Sequence, residues 1–84
     1  MRKTIYTAHY EAFTKRFRLL REKAGMTQRE LAEKLKVPHG TVARIELGQR
    51  RVDVVECYWI LRAMGANPLK EMGKIIRAFG ELAE

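Results

Sequence analysis

The amino-acid sequence predicts an all-α fold of five helices. Three observations carry that expectation. Apolar residues recur at three- and four-residue spacing in five separate segments. Capping residues, glycines and prolines fall between those segments, where helices start and stop. No run of Val, Ile and Thr alternates cleanly with polar residues except the short stretch 3–6, so the chain offers little from which to build strands.

Each helix has its own signals. In the first, Tyr10, Phe13, Phe17, Leu20 and Ala24 share one face and Gly25 supplies the stop. Residues 1–8 ahead of it read as an N-terminal arm. Thr27 and Glu30 have the spacing of a capping box. They open a short second helix with Leu31 and Leu35 turned inward and Ala32 beside them. Lys36-Val37-Pro38 stops that helix, and Pro38 suits the first position of the next. The third helix is expected over about residues 39–47, closed by Gly48. Asp53 and Glu56 repeat the cap spacing for a fourth helix, which runs to Met64 and ends at Gly65. Its main stripe is Val54, Cys57, Tyr58, Leu61 and Met64, with Val55 and Trp59 forming a second apolar patch. Asn67-Pro68 caps the fifth helix, with Glu71 at the N3 spacing. Leu69, Met72, Ile76, Phe79 and Ala83 form its apolar side, widened by Ile75 and Leu82; Lys70, Glu71, Lys74, Arg77 and Glu81 take the other.

Composition limits what such a bundle can do. A chain of 84 residues makes one domain. At that size only about 60% of the unfolded surface is buried on folding, so pairing with a second copy is an expected route to stability. The 17 Lys and Arg against 10 Asp and Glu leave a net charge of +7, a field that favours polyanions, nucleic acid first. Cys57 is the only cysteine, which fits a reducing cytoplasm and leaves a metal site short of ligands, since His9 and His39 lie far apart in sequence. The start of the chain does not read as a signal peptide, and no apolar run of about 18 residues suggests a membrane span. No acid/base pair, nucleophile triad, glycine-rich phosphate loop or metal cluster is evident, so neither an enzyme nor a cofactor or small-molecule ligand is expected.

The second and third helices, three or four residues apart, have the spacing of a helix-turn-helix over about 27–47. At about 100° per residue, Val42 and Ile45 of the third helix point toward Leu31 and Leu35. Gly40, Ala43, Arg44 and Leu47 fall on the opposite side, with His39 at the entrance. Small residues let a helix approach base edges, and arginine is the usual bidentate donor to guanine.

Met26-Thr27-Gln28-Arg29-Glu30-Leu31-Ala32-Glu33-Lys34-Leu35, followed by Val42-Ala43-Arg44-Ile45-Glu46-Leu47-Gly48, resembles the Cro/CI-type (XRE) helix-turn-helix family of phage repressors and bacterial regulators. The resemblance implies a lambda-repressor-like domain over 9–66 and a C-terminal helix over 67–84 that contributes a dimer contact. It implies base contacts from His39, Gly40, Ala43 and Arg44, and phosphate contacts from Thr27, Gln28, Gln49, Arg50 and Arg51. It also implies a partly buried ion pair between Arg21 and Glu46. The family often has a Ser or Thr cap where Pro38 stands and polar readers at Gly40 and Ala43, so readout here rests on fewer side chains. Ile75, Ile76, Phe79 and Leu82 exceed what a four-helix unit needs to cover itself and are the candidate homodimer interface. Val55 and Trp59 either extend that interface or tuck against the fifth helix. The expected protein is a cytoplasmic, nucleoid-associated regulator bound as a homodimer to double-stranded DNA. A phage-type repressor, an antitoxin and a restriction-system controller share these features; a protein-binding adaptor is the rival from another class. Membrane-surface binding is disfavoured by the mixed charges of the fifth helix.

Overall fold

The computed structural model describes the backbone of residues 3–82 and the side chains of residues 7–82. Five helices succeed one another: α1 (Lys3–Lys23), α2 (Gln28–Leu35), α3 (Gly40–Glu46), α4 (Val54–Ala63) and α5 (Pro68–Glu81). There is no strand among the described residues.

Three helices start where side chains satisfy backbone donors. Thr27 Oγ1 accepts the Glu30 N–H at 3.0 Å while Glu30 Oε1 accepts the Thr27 N–H at 2.8 Å. Asp53 and Glu56 close the same box at the head of α4, at 2.7 and 3.1 Å. Each such cap is worth about 1 kcal/mol. At α5 the cap is Asn67, whose Oδ1 accepts the Lys70 N–H at 3.1 Å. Lys70 therefore holds the N3 position, and Glu71, expected there, turns inward to α1. At the end of α2, Lys36 takes the left-handed conformation (φ 59°) that Gly48 takes after α3 (φ 76°). The Lys36 N–H reaches Glu33 O at 3.1 Å and the Val37 N–H reaches Ala32 O at 3.0 Å, which caps α2 and turns the chain toward α3.

The core joins all five helices: Phe13 and Phe17, Leu31 and Ala32, Val42 and Ile45, Cys57, Ile60, Leu61 and Met64, and Ile75. Leu31, Ala32 and Val42 have no measurable exposure. A fully buried aliphatic side chain of this kind contributes about 1.5–3 kcal/mol. α1 packs on α3 and α5, α2 on α3 and α4, and α4 on α5.

Several elements differ from expectation. α1 begins at Lys3, inside the stretch 1–8 expected as an arm; residues 1 and 2, like Ala83, lie outside the described residues. Nothing in residues 3–9 breaks a helix, and α5 gives His9 a neighbour. His9 packs edge-on against Phe79, and its Nε2 lies 3.0 Å from Phe79 O. In α4 the inner face is Cys57, Ile60, Leu61 and Met64, whereas Val54 and Tyr58 are exposed. Residues 54–61 are apolar at every position but Glu56, so periodicity alone could not fix that helix's roll. Among the described residues no helix is long and apolar enough to cross a membrane.

Candidate nucleic-acid interface

α3 is fixed by its inner side, where Thr41, Val42 and Ile45 are buried. Gly40, Arg44 and Leu47 face outward and Ala43 is half-buried. Thr41 joins the inner face although the wheel singled out only Val42 and Ile45; its spacing of four from Ile45 was the available signal. No carboxylate stands on the outer side, because Glu46 is turned in. Arg44 folds back along the helix: a Cβ built on Gly40 would lie 3.0 Å from Arg44 Nη1. The missing side chain at Gly40 is therefore what leaves room for the guanidinium beside the first turn.

His39 is at the entrance, but its ring is occupied. Nδ1 lies 3.3 Å from Arg29 Nη2, and Nε2 lies 3.8 Å from Glu33 Oε2. Its backbone is helical and it makes no side-chain cap. The imidazole therefore straps α3 to α2, and a base contact from His39 would require its release. Sequence reasoning missed Arg29 here. It is an exposed cation one residue past Gln28, and that position beside the entrance was the signal.

Beneath the turn, Arg21 and Glu46 meet in a two-point pair. Arg21 Nε donates to Glu46 Oε2 at 2.6 Å and Nη2 to Oε1 at 3.1 Å, with side chains only 10% and 5% exposed. Arg21 Nη1 also donates to Met26 O at 2.7 Å, tying the end of α1 to the start of α2. Gln28 Nε2 donates to the same Glu46 Oε1 at 2.9 Å. The Gln28 amide thus braces α2 against α3, and it retains a second N–H. The N–H groups of Gln28 and Arg29, in the first turn of α2, have no intrahelical acceptor and carry the positive end of the helix dipole. Such a terminus attracts phosphate. Thr27 lies beside it, its N–H and its oxygen already engaged in the cap.

The segment after α3 is built differently at each position. Gln49 is exposed. Arg50 is held by Glu56: Nη2 donates to Oε2 at 2.7 Å, and Nη1 donates to Arg51 O at 3.0 Å. Hydrogen bonding from Arg50 is the chief reason the Glu56 carboxyl sits below its ordinary range. A guanidinium with its own carboxylate is a poor phosphate ligand until it exchanges partners. Arg51 is exposed, and its guanidinium lies 4.3 Å over the Tyr10 ring.

The residues expected at a dimer contact do not stay together. Ile75 is 7% exposed and belongs to the chain's own core, because α5 presents it to α1 and α4. Phe79 is half-buried against His9, and Leu82 is half-buried at the end of α5. Ile76 faces outward at 66% exposure. Val55 and Trp59 are exposed on α4, with Trp59 edge-on to Tyr58 at 5.1 Å, so neither tucks beneath α5. Among the described residues no group of His, Cys, Asp and Glu is placed to hold a metal ion.

A capped short helix, a tight turn and a second helix with a small, cationic outer face define a helix-turn-helix DNA-binding protein. A helix-turn-helix family model matches residues 17–72. The chain is also similar to a solved structure described as an XRE-family like protein from Pseudomonas syringae pv. tomato. The two are 36% identical over 90% of this chain and 93% of the other, with a TM-score of 0.84. No curated protein matches. The chain belongs to the Cro/CI-type (XRE) helix-turn-helix family of DNA-binding regulators.

Proposed function

We propose that this protein is a sequence-specific transcriptional repressor that binds a near-palindromic operator in double-stranded DNA as a homodimer. It would act in the cytoplasm, at the nucleoid, by occupying DNA that polymerase needs. The observation that carries this reading is the outer face of α3, where Arg44 lies over Gly40 and the helix's one acid, Glu46, is turned inward to Arg21. Such a face can enter the major groove closely, with one bidentate donor for guanine. Arg44 is assigned to base contact, with Gly40 and Ala43 giving the close approach and His39 joining when Arg29 and Glu33 release it. Thr27, Gln28, Gln49 and Arg51 are assigned to phosphates, which set position and not sequence. Arg50 is a secondary contact, since it serves Glu56 first.

Selection from random duplexes, followed by binding titrations, tests the assignment. Arg44→Ala should lose about 1–3 kcal/mol on the selected site and relax preference at one base pair. Arg51→Ala should weaken all duplexes alike and lower the salt slope by about one unit. An equal loss on every sequence for Arg44→Ala would reassign it to phosphate, and an unchanged slope would remove Arg51 from the footprint.

A further inference from the structure

Away from the α2–α3 unit, α1, α4 and α5 leave between them an open groove of ≈ 640 Å³. Phe13, Cys57 and Ile75 are buried along it, while Val54 and Ile76 stand 72% and 66% exposed at its edges. The volume falls within the range of about 300–1,000 Å³ usual for small-molecule sites. Most of its polar groups are already engaged. His9 Nε2 faces Phe79 O at 3.0 Å, the Tyr10 hydroxyl donates to Arg50 O at 3.3 Å, and Asp53 Oδ1 caps α4 at 2.7 Å.

Arg51 is the exception. It lines the groove and forms no ion pair with any carboxylate of the described residues. Its stacking on Tyr10 uses the flat face of the guanidinium. The N–H donors lie in the plane of that group, in a fork that matches a carboxylate. An apolar trough with one uncommitted, planar cation at its edge is complementary to a molecule with a greasy chain and an anionic head. We propose that this groove binds an amphiphilic carboxylate, its chain along Phe13, Val54 and Met72 and its head on Arg51. Where the assignment of Arg51 to phosphate under the proposed function holds, the ligand and DNA compete for one guanidinium, and occupancy weakens DNA binding.

Decanoate is a suitable probe, with decanol and decyltrimethylammonium as controls lacking the anionic head. Calorimetry and amide-shift titrations on the whole chain should give one saturable decanoate site below 1 mM, with shifts at Phe13, Val54 and Met72. Decanol should bind about tenfold more weakly and the cationic control more weakly still. Arg51→Gln, an exposed change, should reduce decanoate affinity about tenfold and leave decanol unaffected. Failure to saturate, or equal binding of decanoate and decanol, would overturn the site. So would decanoate affinity that falls as protein concentration rises, because a second copy would then own the groove. Decanoate that binds through Arg51 yet leaves duplex affinity unchanged supports the site and instead removes Arg51 from DNA contact.

Discussion

Glu46 is one residue on which the DNA-binding unit turns. Its carboxylate accepts from Arg21 at two points and from Gln28 at a third, so the end of α1, the start of α2 and the end of α3 converge on two oxygen atoms. The pair was legible in the sequence because Arg21 and Glu46 each sit at the edge of an apolar stripe and match a family pattern. Arg50 was less legible. Glu56 already had a role as the N3 residue of a cap, and nothing in the sequence says that one carboxylate both closes a cap and holds an arginine. The ties of His39 to Arg29 and Glu33 were hidden for a similar reason, since that spacing matters only once α2 and α3 are folded together. Arg21→Ala should destabilise the protein by about 3–5 kcal/mol, because it leaves Glu46 buried without its cation. Arg21→Lys should recover only part, since an ammonium cannot reproduce the two-point contact and the bond to Met26 O. Urea unfolding measures both. A loss within the range of about 0–1 kcal/mol seen for exposed pairs would mean that water reaches Glu46.

At the scale of elements, helix starts were readable and helix roll was not. Thr27, Asp53 and Asn67 cap α2, α4 and α5 through local bonds that need no tertiary context. The roll of α4 depends on which apolar side its neighbours cover. The inward turn of Glu71 depends on Arg16, 55 residues away in the chain. Arg16 Nη2 lies 2.9 Å from Glu71 Oε1, and Lys74 Nζ lies 3.5 Å from Oε2. Arg16 thus clamps α5 to α1. The clamp has a pH signature. Hydrogen bonding from Arg16, helped by Lys74, holds the Glu71 carboxyl below its ordinary value of 4.5, against the opposing effect of burial. A carboxyl depressed in the folded state contributes stability that is complete above the unfolded value and is lost as pH falls through the folded one. Glu56, depressed by Arg50, contributes with the same sign. The urea midpoint should therefore fall as pH drops below about 4.5, and Glu71→Gln should flatten part of that fall while being less stable near pH 7. Parallel pH curves for the two proteins would mean that the clamp does not bear on folding.

The whole molecule raises a question of reach. Its Cα extents are 37 × 25 × 21 Å, and it carries one recognition helix. Successive major grooves on one side of a duplex are about 34 Å apart, so one copy reads one groove and two copies side by side have the right width for two. Of the residues expected at that contact, only some remain exposed. Ile75 belongs to the core and Phe79 packs on His9, which leaves Ile76 and Leu69 exposed on α5, while Val55, Tyr58 and Trp59 are exposed on α4. Among the described residues, six of the eight large exposed hydrophobics (all but Leu19 and Leu47) lie on these two helices, more apolar surface than scattered exposure explains. A two-fold contact through Ile76, Trp59 and Val55 would cover it and set the operator's symmetry. Ile76→Glu is the sharper test than a change at Phe79, because Ile76 is exposed in the single copy and its loss should leave helix content and thermal stability of the monomer nearly intact. Sedimentation should show a dimer for the unmutated chain at micromolar concentration and a monomer for Ile76→Glu. Affinity for a two-half-site duplex should fall at least about tenfold, with affinity for one half-site unchanged, because joining two modules raises avidity without any new contact to DNA. An unmutated chain that sediments as a monomer and binds single half-sites would leave α5 as a cover for its own core alone.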